Sequence, residues 1–282
     1  MKVTILVDNT ALFDRMFVAE HGFSAYIEAG GKKILFDTGY SSAILQNAEK
    51  MGIDLLDLDY LVISHGHFDH TGGLWHLLRR FMEAGIEKKP HRLPRLIAHP
   101  NSLLPRPKPP LADIGSILSA DDVQRALPLD LSTGPVSLTP DLFFLGEIER
   151  KTSFETVDSG PRAIILPDGT VQNDRILDDT SLAFRGRDGL VIISGCAHAG
   201  ICNTVEYARN VCGENRVQDI IGGLHLQKAG PQLDGTLAYL RDLRPGALHA
   251  CHCTSLAAKI ALAQAAPLHE TGVGLRLEYA DR

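Results

Sequence analysis

The sequence predicts an α+β fold in which two mixed β-sheets carry helices on their outer faces. Residues 1–40 alternate apolar and polar positions, as half-buried strands do. Residues 60–63 are all apolar, which is typical of a strand buried on both faces. From residue 200 onward, helical stretches alternate with short apolar runs. Sheets flanked by helices on their outer faces explain this order of elements.

The first third of the chain reads as strands followed by two helices around a buried strand. Strands are expected at residues 3–7, 25–27 and 34–36, the last two joined by a turn at Gly30 and Gly31. Helical spacing predicts a helix over residues 41–50, with Gly52 as its stop. A second helix is expected to begin near residues 71–73, just beyond the strand at 60–63.

Residues 88–135 form a proline-rich insertion, which we predict to be a long loop apart from a possible strand at 96–98. Long loops in compact domains are often lids or binding loops, and a solvated surface excursion is the alternative. The basic residues of this loop would suit an anionic substrate. They are Arg92, Arg95, Arg106 and Lys108.

The remainder of the chain begins with strands and then alternates. A strand at 142–144 precedes two hairpins that turn at residues 167–169 and 186–189. Helices are then expected over residues 203–211, 236–243 and 256–265, and strands at 220–221, 247–251 and 275–277. Because apolar residues are spread evenly, we expect residues 1–282 to form a single domain.

Composition restricts the partners and the compartment. The net charge is −6 without a basic block, which argues against a nucleic-acid partner. No apolar run approaches the roughly 18 residues of a membrane span, and the N-terminal residues do not resemble a signal peptide. Five cysteines, an odd number, favour free thiols over a disulfide framework. We therefore expect a cytoplasmic protein that acts on a small molecule, of undetermined oligomeric state.

A cluster of metal-ligand side chains follows the strand at residues 60–63. His65, His67, Asp69 and His70 lie where a buried strand gives way to a loop, so that the strand fixes their position and the loop lets them converge. Imidazole and carboxylate suit zinc, and two such ligand sets can hold a pair of ions roughly 3.5–4 Å apart. The alternative is an accidental histidine-rich turn, which three histidines and an aspartate within six residues make improbable.

The motif His-x-His-x-Asp-His, with Leu35-Phe36-Asp37-Thr38-Gly39 upstream, resembles the metallo-β-lactamase superfamily. The resemblance implies an αββα sandwich with two divalent ions, the first bound by His65 and His67 and the second by Asp69 and His70. It also implies that Asp37 supports the loop by hydrogen bonds. Further segments resemble the branch related to 7,8-dihydropterin-6-methyl-4-(β-D-ribofuranosyl)-aminobenzene-5'-phosphate synthase. They are residues 7–9, 20–24, 194–200, 222–226 and 252–254.

The remaining ligands are expected at later strand ends. His198, His225 and His252 each follow an apolar strand, and each could be a ligand or a supporting histidine. Much of the superfamily has an aspartate that follows a glycine and bridges the ions, but here Cys196 follows Gly195. Asp179 could supply the missing carboxylate, with a turn residue as its plainer role.

His21 lies in the loop before the second strand. It could reach the site as a substrate contact or proton relay, or it could only stabilise its loop.

Hydrolysis by a metal-activated hydroxide is the function we expect, with Asp69, His65 and His67 at the catalytic centre. Di-iron redox relatives usually carry a glutamate where this chain has His67, so zinc is favoured, with manganese or iron possible. A phosphorylated or pterin-like anion is the expected substrate. Phosphodiester cleavage is the preferred reaction, and lactam or thioester hydrolysis comes second. Two alternatives stay open: a synthase that condenses a dihydropterin with release of pyrophosphate, and a non-catalytic metal-dependent ligand sensor.

Overall fold

The computed structural model describes residues 1–155 and 162–282. The strands of these ranges are β1 (Lys2–Val7), β2 (Ser24–Ala29), β3 (Lys32–Phe36), β4 (Tyr60–Val62), β5 (Arg95–Ala98), β6 (Leu129–Leu131), β7 (Val136–Thr139), β8 (Leu142–Phe144), β9 (Ala163–Ile165), β10 (Val171–Asn173), β11 (Ser181–Gly186), β12 (Gly189–Ser194), β13 (Val217–Gly223), β14 (Ala247–Cys251) and β15 (Arg276–Glu278). Both predicted hairpins are present, as β9 with β10 and β11 with β12.

The helices are α1 (Ala43–Met51), α2 (Phe68–Thr71), α3 (Gly73–Ile86), α4 (Ala120–Gln124), α5 (Ile201–Cys212), α6 (Pro231–Leu243) and α7 (Leu256–Leu262). The helix expected to begin near residues 71–73 is present as α3, and it is preceded by a short helix, α2, which carries Asp69 and His70 of the motif. Within the described ranges, none of the helices has both the length and the apolar character needed to cross a membrane.

Two mixed sheets form the centre of the fold. The first has seven strands in the order β15-β1-β2-β3-β4-β5-β6, and β3 to β6 run parallel. The second has six strands in the order β14-β13-β12-β11-β8-β7, and β12 to β14 run parallel. Parallel neighbours present their carboxyl ends at one edge of a sheet, so each sheet has one edge at which loops from several strands meet.

Three apolar layers hold these elements together. Side chains such as Phe36, Val62 and Ile193 fill the space between the two sheets. Helices α1 and α3 cover the outer face of the first sheet, where Ile44 and Leu77 are buried. Helices α5, α6 and α7 cover the outer face of the second sheet in the same way. The α+β architecture with helices outside two mixed sheets is therefore confirmed.

The proline-rich insertion is more ordered than the sequence suggested. Strands β5 and β6 extend the first sheet, and α4 begins with a capping box between Ser119 and Asp122. The prediction of a long loop therefore fails for α4 and β6, whereas the possible strand at 96–98 is present as β5. The strand segments escape the effect of proline because the prolines lie at or beyond their ends, where no ladder hydrogen bond is lost.

Most of the basic residues of the insertion do not serve an anionic substrate. Arg92 pairs with Asp57 and Asp59, and Arg95 pairs with Asp130. Arg106, 1% exposed, forms ion pairs with two buried aspartates described below. Of the four, Lys108 alone lines the main cleft. The expectation drawn from their charge is wrong for the three arginines because intramolecular carboxylates neutralise them.

Candidate metal centre

The histidines converge where the carboxyl ends of strands from both sheets meet. His65 follows β4, and His198, His225 and His252 follow β12, β13 and β14. They lie in or beside a cleft of about 800 Å³. Several turns at this edge adopt the left-handed backbone region that residues other than glycine seldom occupy. They are Asp37, Ala197, His225 and His252, with φ between 49° and 57°. Such strain concentrates at functional sites.

Asp37 orients His65 and His70 of the centre. Its carboxylate is fully buried and accepts hydrogen bonds from the Ser64 backbone N–H at 2.7 Å, the Ser64 hydroxyl at 2.7 Å and His70 Nδ1 at 2.7 Å. Because the Ser64 hydroxyl donates to Asp37, its oxygen can accept from Nδ1 of His65, 2.9 Å away. Both histidines therefore carry a hydrogen on Nδ1 and direct Nε2 away from Asp37.

Asp8 and Asn9 orient His252 on the other side of the centre. The His252 backbone N–H donates to Asp8 Oδ1 at 2.9 Å, and His252 Nδ1 lies 2.9 Å from Asn9 Oδ1. That oxygen also accepts from the Gly22 backbone N–H, which identifies it as the carbonyl oxygen of the amide. His252 Nδ1 therefore carries the hydrogen, and its Nε2 presents a lone pair to the centre.

Electron-pair donors consequently face one another. His70 Nε2 lies 3.2 Å from His252 Nε2 and 3.3 Å from Cys196 Sγ. Asp69 Oδ2 lies 3.7 Å from His70 Nε2 and 3.3 Å from His252 Nε2. Ligand atoms on one tetrahedral zinc are about 3.3–3.8 Å apart, since the bonds are ~2.0–2.3 Å long. The spacing and the chemistry of these donors fit a divalent cation.

The protonation of His70 shows the same need for positive charge. Burial lowers its pKa, but the carboxylates of Asp69 and Asp37 outweigh burial and raise the pKa to about 9. A proton can therefore occupy the position where these donors converge.

A second group of donors lies beside the first. His65 Nε2 is 2.9 Å from His67 Nδ1, and the His198 ring centroid is 4.8 Å from that of His65 and 4.9 Å from that of His67. Burial lowers the pKa of all three rings, that of His67 to about 3. Nε2 of His67 and of His198 is buried, and neither atom has a hydrogen-bond partner in the described ranges. Neutral rings with unused nitrogens are the form in which histidine binds metal.

Ligand atoms group into three sets within residues 1–155 and 162–282, each spanning no more than 4.8 Å. The sets are His65 with Cys196 and His198, His70 with Cys196 and His252, and His21 with Asp69 and His252. Cys196 belongs to two of them.

His67, His225 and Asp179 lie outside these sets. The His225 ring lines the cleft and packs against His198 with 4.3 Å between ring centroids, and burial lowers its pKa to about 4. Asp179 Oδ2 accepts from the backbone N–H of Ala199 at 2.8 Å, and burial raises its pKa to about 7. Asp179 thus supports the turn that carries His198 through Oδ2.

His21 reaches the centre from its loop. Its Nε2 lies 3.1 Å from Asp69 Oδ2, and this hydrogen bond raises the pKa of His21 despite partial burial. The side chain is 59% exposed at the mouth of the cleft. Of the roles open from the sequence, the geometry places His21 against a candidate ligand and not only within its own loop.

An ion-pair network under the motif was missed by the sequence reasoning. Arg106 Nε lies 2.9 Å from Asp174 Oδ2, and Arg106 Nη2 lies 2.7 Å from Asp178 Oδ1. Asp178 also accepts from the Gly66 backbone N–H at 2.8 Å. A Cβ on Gly66 would be 2.0 Å from Arg106 Nη1, so only glycine fits between the two histidines. Two consecutive aspartates, Asp178 and Asp179, are a sequence feature that could have indicated a charged site. Their proximity to Arg106 depends on the fold.

The cleft wall carries positive charge, of which the sequence pattern indicated only Lys108. Arg162, Lys108 and Lys228 line it beside the histidines. Arg162 Nη1 is buried and has no hydrogen-bond partner in the described part of the chain, and burial lowers the pKa of this guanidinium. Leu111 and Ile114 add an apolar portion. A ligand with both anionic and apolar parts would match this wall.

The chain has recognisable relatives. The sequence model of the metallo-beta-lactamase superfamily matches residues 18–211. The chain is 33% identical over 272 residues to 7,8-dihydropterin-6-methyl-4-(beta-D-ribofuranosyl)-aminobenzene-5'-phosphate synthase of Methanocaldococcus jannaschii, covering 92% of this chain and 89% of the relative.

Solved structures of this superfamily have a similar fold. Tm1679, a metal-dependent hydrolase of the beta-lactamase superfamily, is similar over 100% of both chains, with a TM-score of 0.81 and 25% identity. The metallo-beta-lactamase fold protein YhfI of Bacillus subtilis shares the fold, with a TM-score of 0.58 and 13% identity over 98% of this chain and 99% of YhfI. On this sequence match and architecture, the chain belongs to the metallo-β-lactamase superfamily, in the branch that includes the archaeal synthase.

Proposed function

We propose that this protein is a binuclear metal-dependent hydrolase that acts on a phosphorylated or pterin-like anionic small molecule. The observation that carries the proposal is the convergence of histidine Nε2 atoms and the Asp69 carboxylate at the floor of a basic cleft. Such an arrangement is costly without a cation, because lone pairs at these distances repel one another. The superfamily match supports metal chemistry at this position.

We assign the ligand sets from the positions of the donor atoms. His65, His67 and His198 would hold one ion, and Asp69, His70 and His252 would hold the other. We favour zinc because imidazole and carboxylate donors suit it, with manganese and iron as the alternatives. When bound, two divalent ions would supply Lewis-acid chemistry, since they polarise a substrate oxygen and acidify water enough for attack near pH 7.

The chain's own residues would fix the reactants. His21 donates to Asp69 Oδ2 and holds that carboxylate in one orientation. Arg162 and Lys108 would bind the anionic group of the substrate, and Arg162 has a buried N–H available for a charged hydrogen bond. We assign His225 to the cleft wall as a substrate contact, since its ring lines the cleft beside His198.

A synthase that joins a dihydropterin to a second substrate is the other candidate. It is favoured by the 33% identity to the Methanocaldococcus jannaschii synthase over nearly the whole chain. The same metal centre and basic cleft would serve this reaction by stabilising a departing anion. Release of pyrophosphate from a pterin substrate without net hydrolysis would establish the synthase, whereas saturable binding without turnover would establish a sensor.

The first experiment measures metal content and hydrolysis together. Protein purified without added metal is analysed for metals per chain and assayed on bis(4-nitrophenyl) phosphate. We expect about two zinc ions per chain with turnover, because a binuclear site is typical of this chemistry. Two iron ions without turnover would refute the hydrolase and favour redox chemistry.

A pair of variants tests the ligand assignment. His67→Ala should lose bound metal and activity without unfolding, because it removes one donor from the first set. His91→Ala, which alters an exposed histidine away from the cleft, should keep both. Full metal content in His67→Ala would contradict the assignment.

A further inference from the structure

Cys196 lies between the two ligand sets, and we propose that its thiolate is a ligand shared by both metal ions. This inference rests on the binuclear centre proposed above and names the anionic group that joins its two halves. The thiol is 4% exposed. Its Sγ lies within one set with His65 and His198 and within another with His70 and His252. Cys196 is the one residue that these two sets have in common.

The position of Cys196 is fixed by the same network that orients the histidines. A Cβ on Gly195 would be 2.1 Å from Ser64 Oγ and 2.8 Å from Asp37 Oδ2, so the chain before Cys196 is packed directly on the Asp37 network. Ala197 then adopts φ of 56°, which turns the chain toward His198. The Sγ atom consequently lies 3.3 Å from His70 Nε2, a spacing that fits two ligands of one zinc.

No carboxylate among the described residues takes this central position. Asp69 Oδ2 lies near His70 and His252, on the side of the second set. Asp179 is directed to the backbone of Ala199. A thiolate is softer than a carboxylate and forms bonds to zinc of about 2.3 Å, so it suits zinc at this position. It would also contribute a negative charge that partly offsets the repulsion between two dications.

Cobalt substitution makes the sulfur–metal bond visible. Full-length protein is loaded with Co²⁺, its cobalt content is measured, and its near-ultraviolet spectrum is recorded for thiolate-to-cobalt charge transfer. We expect this band in the parent protein and its loss in Cys196→Ser. The matched control is Cys253→Ser, since Cys253 is the other cysteine that lines the cleft and its Sγ contacts the Cys196 carbonyl oxygen at 3.6 Å. The control should retain the band.

Two further variants separate a shared ligand from a ligand of one ion. In His198→Ala, the set of Cys196 with His70 and His252 stays intact. In His252→Ala, the set of Cys196 with His65 and His198 stays intact. Each variant should bind about one cobalt per chain and still show the charge-transfer band, because Cys196 is a ligand at both metal positions. A band in one of them only would overturn the sharing.

The remaining outcomes are equally decisive. Two cobalt ions without charge transfer in the parent protein would overturn the thiolate ligand and leave the binuclear centre standing. A parent protein that binds no cobalt would refute the centre itself. In Cys196→Asp, we expect cobalt to bind without the band, because a carboxylate can take the same shared position. Persistence of the band in this variant or in Cys196→Ser would assign it to another sulfur and overturn the proposal.

Discussion

Asp37→Asn offers a sharp test of how the centre is held. Asn has the same shape as Asp and tolerates the left-handed φ of 57° at this position, so the backbone should be unchanged. What changes is the ability to accept hydrogen bonds. Asp37 accepts from the Ser64 N–H through Oδ1, and from the Ser64 hydroxyl and His70 Nδ1 through Oδ2. The amide NH₂ must replace one of these oxygens and face a donor.

The magnitude follows from those contacts. If NH₂ faces His70, the ring loses the partner that keeps hydrogen on Nδ1, and Nε2 no longer presents its lone pair reliably. Loss of such a supporting partner typically costs 10–100-fold in metal affinity, or about 1.4–2.7 kcal/mol. If NH₂ faces the Ser64 N–H instead, one buried charged hydrogen bond is lost, which costs ~1.5–3 kcal/mol of folding free energy.

Competition with a chromogenic chelator measures the zinc affinity, and urea unfolding of metal-free protein measures the folding term separately. We expect weaker zinc binding in Asp37→Asn by roughly 10-fold or more. The control is Asp188→Asn, at a side chain 61% exposed in a surface turn, which should change neither quantity. Unchanged zinc affinity together with unchanged stability in Asp37→Asn would refute the role of Asp37 as the organiser of the two histidines.

Three further substitutions follow from close packing, buried charge and the cleft wall. Gly195→Ala should destabilise the fold by about 1–3 kcal/mol in urea unfolding, because its Cβ would overlap Ser64 Oγ. Gly134→Ala, which meets nothing within 4 Å, is its control, and equal effects would refute the packing argument. Arg106→Gln should cost about 3–5 kcal/mol because two buried aspartates lose their partner. The exposed pair of Arg95 makes Arg95→Gln its control, and a comparable loss there would contradict this reading. Arg162→Gln should raise KM for an anionic substrate while kcat and metal content stay near the parent values, and an unchanged KM would remove Arg162 from the substrate site.

Local patterns were sufficient for most of the architecture. The apolar run at residues 60–63 and the alternating runs before it correspond to strands of the first sheet, and β14 spans the predicted residues. These predictions succeed because side-chain periodicity follows directly from backbone geometry. The histidine motif could be recognised for a different reason, because its members lie close together in the sequence. The insertion misled because β6 is stabilised by pairing with β5, which local composition does not encode.

The sequence by itself therefore determined the fold class, the superfamily and the core of the histidine motif, all of which depend on neighbouring residues. Only the tertiary structure decided how the later residues divide: His198 and His252 join the motif, His225 lies beside it, and Cys196 lies between the sets. The tertiary structure also shows that Arg106, which the sequence suggested as a contact for an anionic substrate, is a buried residue that supports the motif. These outcomes depend on contacts between residues far apart in the chain, whose distances are set by how two sheets pack and not by any local spacing.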